Sequence, residues 1–246
     1  MPPAHAGASR PGVEPHAQLR RSFVYRKLRD LGARFEAING GAVASDFGAA
    51  AAEADIARNL GLADLSPLPR TGFKGTGAVE WLAAQGLAIG PESNRGHVQP
   101  GGEVALRLAP TEIFLIDSLA GTGALVNKLN QAWSWGAERP RKLIGYPMPR
   151  ADSHGWFALS GKRAPEMFAK ICGIDLRLDK FENGRIAQTS IAKMSGIILR
   201  QDRGELPLFH LLADSASAEY LWDCLVDAMA EFKGAPVGLA ALRGFG

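Results

Sequence analysis

The chain is poor in the residues that hold disulfide-bonded or metal-stapled folds together. It has two cysteines, Cys172 and Cys224. Both sit in apolar, helix-like phrases, so no disulfide framework is available and buried thiols in a reducing compartment are expected. The five histidines, His5, His16, His97, His154 and His210, are never three or four residues apart, and none stands in a Cys/His spacing that suits zinc. No apolar run approaches the roughly 18 residues that a membrane-spanning helix needs. Even the stretch 113–116 is closed off by Glu112 and Asp117. The first residues lack an apolar h-region, so no secretory signal is expected.

Charge is present but unevenly placed. Residues 1–35 hold seven cations (Arg10, Arg20, Arg21, Arg26, Lys27, Arg29, Arg34) against Glu14 and Asp30, a surplus of five; against +3 for the whole chain, this leaves −2 elsewhere. A nucleic-acid module would interleave basic residues with exposed aromatics along a recognisable motif, and none is found. The basic residues over 19–31 read instead as a helix-like stretch beside Phe23 and Tyr25, either a solvated helix face or an arm that docks on an acidic partner protein. Residues 1–18, rich in proline and small side chains, are expected to be a flexible leader.

What the chain has in its favour is repetition. Gly75, Ala78, Glu80, Trp81 and Leu82 recur at matched offsets as Gly161, Ala164, Glu166, Met167 and Phe168. Each copy follows a short extended segment and precedes a longer apolar one, over 103–119 and 186–213. An amphipathic helix then follows each, over 123–135 and 216–232. The expectation is an α+β fold made of two strand–helix–strand–strand–helix units, roughly 60–135 and 155–233, within one domain spanning 19–246. At 246 residues, with 46% apolar and 22% charged residues, the chain can bury a sizeable core, and two half-domains sharing one sheet would fit.

Before the first unit, residues 31–38 read as a strand entering a turn at Asn39-Gly40. Residues 49–60 read as a helix, with Gly61 expected at its C-cap. Two Pro/Gly-rich stretches, 89–102 and 136–155, read as loops. The second follows Trp133 and Trp135, which cannot both face the core from one helix and are candidate contact residues.

Phosphate-binding signatures are absent. Gly72, Gly75 and Gly77 lack the Gly-Lys-Ser/Thr ending of a P-loop and the spacing of a dinucleotide fingerprint. Because the second copy keeps one of these glycines, a helix-entry turn is the better reading. His210, in the apolar phrase 208–212, reads as an ordinary strand histidine.

Leu62-Ala-Asp64-Leu-Ser66, followed by Phe73, Gly75, Ala78, Trp81 and Leu82, resembles the opening phrase of the aminomethyltransferase family, the T-protein of glycine cleavage. Phe157-Ala-Leu-Ser-Gly161 with Ala164, and Tyr220-Leu-Trp222 with Leu225, are similar to later phrases of that family. In order and spacing, from about residue 21 to 233, the chain is most similar to gamma subunits of heterotetrameric sarcosine oxidase and the corresponding subunit of N-methylglutamate dehydrogenase. The resemblance implies an aminomethyltransferase-like, folate-binding fold without the C-terminal domains. There are departures. The family's folate-binding Asp, in an "N-D-G" phrase, is missing at Asn39-Gly40. Its "T-G-E-x-G" strand is replaced over residues 199–210.

An accessory subunit is therefore implied, with no catalytic, cofactor or metal residues of its own. FAD, FMN, NAD, tetrahydrofolate and zinc would reside in alpha, beta and delta partner subunits of a cytoplasmic complex that oxidatively demethylates an N-methyl amino acid. Neither nucleic acid nor membrane would be a partner. The candidate subunit contacts are Arg20, Arg21, Phe23, Tyr25, Trp133 and Trp135. The alternative is a free-standing tetrahydrofolate-binding or aminomethyl-transferring protein.

Overall fold

The computed structural model describes residues 12–133 and 145–245. The N-terminal part comprises β1 (Arg20–Arg21), α1 (Tyr25–Asp30), β2 (Arg34–Ile38), β3 (Gly41–Asp46) and α2 (Ala50–Leu60). Next come β4 (Gly61–Asp64), β5 (Arg70–Lys74), α3 (Ala78–Ala84), β6 (Arg95–Val98), β7 (Val104–Ala109), β8 (Glu112–Ile116), α4 (Ala124–Ala132) and β9 (Tyr146–Pro147). The remainder is β10 (His154–Ser160), α5 (Ala164–Phe168), β11 (Ile186–Ile191), β12 (Met194–Arg200), β13 (Leu208–Asp214), α6 (Ala218–Ala230), β14 (Ala235–Pro236) and α7 (Leu239–Arg243).

The repeat read from the sequence is visible in the topology. One sheet runs β6-β7-β8-β5-β9 and another β11-β12-β13-β10-β4-β14, so each begins with a three-strand meander returning beside the strand that precedes the helix. The two glycines do the same job in each unit. The N–H of Gly75 donates to the Thr111 carbonyl, and that of Gly161 to the Pro207 carbonyl, each acceptor standing just before the third strand of its meander. Each glycine's own carbonyl then accepts from the first residue of the following helix, Ala78 or Ala164. Both have positive φ, +128° and +98°, which favours glycine at the strand-to-helix turn.

Three expectations are corrected. Each unit has three strands after its helix, not two, because β6 lies inside the stretch read as a loop over 89–102. The halves do not share one sheet but pack two sheets face to face. Along β8, Phe114 and Ile116 turn toward Trp156, Ala158 and Leu212 of the other sheet, whereas Ile113 and Leu115 turn toward α3 and α4. On β10, Phe157 and Leu159 face α5 and α6. The result is four layers, helix–sheet–sheet–helix, with the pleat assigning alternate residues to adjacent layers. Finally, Gly61 is extended (φ −108°, ψ 146°) rather than a left-handed cap. A Cβ there would stand 2.7 Å from Ser160 Oγ and 3.1 Å from Ala57 Cα, so close approach is what requires glycine.

A third, smaller sheet, β1-β3-β2, packs at the N-terminal side. Its hairpin turn is formed by Asn39 (φ +48°) and Gly40 (φ +73°), as the Asn-Gly pair predicts. Residues 12–18, expected in the leader, are tied to this sheet: the Val13 N–H donates to the Phe35 carbonyl (2.8 Å), and Pro15 is buried in a short 3₁₀ turn. Residues 1–11 of that leader lie outside the described residues. Glu53, 3% exposed, joins two distant segments by accepting from Phe47 N–H (2.7 Å) and Gly238 N–H (2.8 Å).

Candidate functional site

A group of buried polar residues, including Asp64, Ser66, Arg70 and Arg150, lies at one end of the seam between the two large sheets. Lys74 ends β5 and Glu112 begins β8, and the register places them opposite each other. Lys74 Nζ lies 2.8 Å from Glu112 Oε2, while Arg150 Nη2 donates to Oε1 at 2.5 Å. One carboxylate thus serves two cations, and its hydrogen bond raises the Lys74 pKa. Arg150, 8% exposed, lies against the Phe114 ring at 5.1 Å. It passes over Gly72, where a Cβ would come within 3.1 Å of Arg150 Nε.

Beside this pair opens a cleft of about 450 Å³ lined by Glu112, Arg150, His154, Gln188, Thr189 and Ser195. The His154 ring stands edge-on to Phe114 (5.3 Å), and its Nδ1 meets Ser153 Oγ at 2.9 Å. Burial, with Arg150 and Arg70 adding positive charge nearby, pushes its pKa down to about 4. The imidazole is therefore neutral at physiological pH. Its Nδ1 partner is a hydroxyl, not the orienting carboxylate of a nucleophilic triad.

Behind the cleft, Arg70 is 2% exposed and spends its guanidinium on backbone carbonyls. It donates to Leu68 (3.0 Å), Arg150 (3.1 Å) and Ala151 (2.5 Å), and also to Ser66 and His154. This clamps the segment entering β10 onto the start of β5. Nearby Asp64 Oδ1 accepts from Ser66 Oγ at 2.6 Å, while Oδ2 is buried without a partner. Burial raises the Asp64 pKa. At the opposite edge of the seam His210 is fully committed. Nδ1 accepts from Trp156 Nε1 (3.0 Å), which fixes the proton on Nε2, facing Gln201 Oε1 (3.1 Å). Burial, with Arg203 adding to it, pushes its pKa down to about 3. Among the described residues no three His, Cys, Asp or Glu side chains converge as a metal site, and no helix is long and apolar enough to cross a membrane.

Sequence reasoning singled out none of Arg70, Glu112 and Arg150. The signal for such a residue is a charge set against a β-forming apolar run. Glu112, next to the apolar run 113–116, carried a signal of this kind, whereas Arg70 and Arg150 each follow a proline in a turn-like phrase and carried none.

The proposed contact residues divide into two groups. Arg20 and Arg21 form β1, a two-residue strand parallel to β3, rather than part of a helix. Arg21 reaches His16 Nδ1 (2.7 Å), and its guanidinium and that of Arg26 lie 5.2 and 5.4 Å from the Tyr25 ring centre. Leu19, 96% exposed, extends this patch. Part of the arm's charge is met within the chain, since Lys27 Nζ pairs with Asp223 on α6 at 2.8 Å. Phe23 is half-buried against the core beneath α5 and α6. Trp133 is half-buried too, its ring 4.6 Å from Trp81 and 5.7 Å from Phe73. Trp135 lies outside the described residues.

Comparison with known proteins bears on the fold. No protein-family model matches the chain. The aminomethyltransferase of Mycobacterium avium (strain 104) is 27% identical over 228 residues, covering 87% of this chain and 58% of that protein. The chain thus spans under three-fifths of the curated relatives it matches. Among solved structures, a chain of the heterotetrameric sarcosine oxidase from Corynebacterium sp. U-96 aligns with a TM-score of 0.59 and 23% identity, over 77% of this chain and 95% of that one. The glycine cleavage system aminomethyltransferase T from Bartonella henselae aligns with a TM-score of 0.69 and 19% identity, over 92% of this chain and 62% of that one.

Proposed function

We propose that this chain, whose fold is aminomethyltransferase-like, is a gamma-type, non-catalytic subunit of a heterotetrameric flavoenzyme that oxidatively demethylates an N-methyl amino acid such as sarcosine or N-methylglutamate. The observation that carries the reading is that the main charged and titratable side chains at the seam are bonded within the chain, Asp64 Oδ2 and Arg150 Nε being left without partners. Glu112 is held by Lys74 and Arg150, Arg70 by five carbonyls, and His210 by Trp156 and Gln201. Side chains held in this way by their own chain are positioned for structure rather than for a substrate. The alignment over 95% of a sarcosine oxidase chain supports the same reading.

Tetrahydrofolate, which the fold family implies, does not fit the residues present. In the stretch that replaces the family's glutamate motif, Asp202 is bound by Arg200 at 2.6 Å, Leu206 and Leu208 are buried, and His210 is spent. Flavin, nicotinamide nucleotide, folate and zinc would belong to the alpha, beta and delta partners, in the cytoplasm. Arg20, Arg21 and Tyr25 are the arm proposed to meet them.

The test is affinity purification of the tagged chain from its own cells. The expected result is a co-purifying flavoprotein complex that demethylates an N-methyl amino acid and loses this activity when the chain is deleted. Complexes carrying Arg20→Ala and Arg21→Ala should dissociate at lower salt. A chain that purifies alone, monodisperse, and binds tetrahydrofolate stoichiometrically would instead establish the alternative, a free-standing folate-binding or aminomethyl-transferring protein.

A further inference from the structure

Away from the seam, a groove of about 890 Å³ runs between the end of α2, the turn after β10, the Arg203–Leu206 turn and Phe245. Its walls are held by main-chain hydrogen bonds. The Lys162 N–H donates to the Arg58 carbonyl (3.1 Å), and Arg203 and Leu206 exchange N–H···O bonds of 2.9 Å. Pro207 and Phe245 supply apolar surface over the buried Leu206, and Leu178, 38% exposed, carries it outward.

The charges on this apolar frame are unbalanced. Arg58 is matched by Asp55 at 2.7 Å and lies over the Phe245 ring at 5.1 Å. Among the described residues, neither Lys162 nor Arg203 takes part in an ion pair, and Glu205 is the one acid left on the lining. Arg203 Nε is out of contact with solvent and has no acceptor. An incoming carboxylate would therefore meet the terminal nitrogens of this guanidinium, whose charge no acid of the described residues balances. The groove is also open to solvent along its length. A small ligand would leave much of its surface wet, unlike the nearly enclosed ligands of typical small-molecule sites. A polypeptide segment would not.

We propose that this groove seats a segment of a partner subunit that carries an apolar anchor flanked by Asp or Glu. The apolar residue rests on Phe245 and Pro207, and the carboxylates meet Lys162 and Arg203. The inference rests on the reading of the chain as a subunit and locates a second contact, independent of the Arg20–Arg21 arm.

The experiment uses the purified complex. Zero-length carbodiimide cross-linking should join Lys162 to an Asp or Glu of a partner chain. Lys162 should also react with an acetylating reagent more slowly than exposed Lys193 of the same complex. Lys162→Glu with Arg203→Glu should weaken assembly about tenfold, as loss of close charge contacts does, without lowering the melting temperature of the chain. Lys162→Arg should restore assembly. Two results overturn the proposal while leaving the subunit reading intact: an intact complex in which Lys162 is acetylated as fast as Lys193, or charge-reversed variants that assemble normally. If no partner co-purifies, both readings fall.

Discussion

The buried pair of Trp156 and His210 makes a sharp test of how the seam is held. His210 is 2% exposed, accepts from Trp156 Nε1 at 3.0 Å, and has its pKa pushed from 6.5 down to about 3 by burial. Because the folded-state pKa is depressed, the unfolded chain binds the proton first. Stability from this group is full above pH 6.5 and declines as the pH falls toward 3. Between pH 7.5 and pH 5 the loss for this one group is about 2 kcal/mol, since each pH unit below the unfolded pKa is worth about 1.4 kcal/mol until the folded form titrates. The assay is urea unfolding of wild type and His210→Gln at pH 7.5, 6 and 5. Gln can still accept from the indole but does not titrate. The variant should start less stable, by about 1 kcal/mol for an imperfect hydrogen bond, and should then lose about 2 kcal/mol less than wild type on acidification. Groups that titrate in both proteins cancel in this difference. Parallel pH profiles, or an NMR titration of His210 with a midpoint near 6, would refute the argument.

Two further outcomes follow from the geometry. Gly161→Ala should cost about 3 kcal/mol or more, because φ is +98° and the new Cβ would press on the Asn59 carbonyl and lie 2.6 Å from the Ala57 carbonyl oxygen. Gly173→Ala, with nothing within 4 Å, should change stability by no more than about 0.5 kcal/mol, and equal effects at both sites would sink the reasoning. Arg70→Met should cost about 3–5 kcal/mol in urea unfolding by stripping donors from five carbonyls, with faster hydrogen exchange around 150–156. A loss below about 1 kcal/mol would show that water replaces the clamp.

The repeat was legible because it rests on local chemistry: a glycine with positive φ, an alanine beginning a helix, and apolar residues at helical spacing. The pairing of the sheets was not. The run Ile113, Phe114, Leu115, Ile116 is buried on every side. A continuous apolar strand reports that both its faces are covered, not whether a helix or a second sheet covers them. Strand β6 escaped for the opposite reason. Arg95, Gly96 and His97 have little β-propensity, and the segment is a strand because β7 pairs with it across the register Arg95↔Arg107 to Val98↔Val104. Trp133 and Trp135 looked alike as candidate contacts. Trp133, however, is held by Trp81 and Phe73, neighbours supplied by α3 and β5 that sequence spacing could not place.

The duplication also explains why the seam holds so few free polar groups. Aligning Gly75 with Gly161 and Thr111 with Pro207 makes Gly72 equivalent to Ala158, Phe114 to His210 and Arg70 to Trp156; the cross-strand pairs Gly72↔Phe114 and Ala158↔His210 agree. The two copies fill these equivalent positions with opposite chemistry. In the first unit the small Gly72 leaves room for Arg150 to lie on Phe114, and Arg70 clamps the incoming chain. In the second, Ala158 faces His210, which is bonded to the indole that stands where Arg70 does. The charged Arg70 of one copy therefore corresponds to the aromatic Trp156 of the other, and each is bonded within the chain. Among the features the chain presents outward are the Arg21–Tyr25–Arg26 stack and the cation-rimmed groove beside Phe245, the two places where the proposed partner contacts would find binding energy.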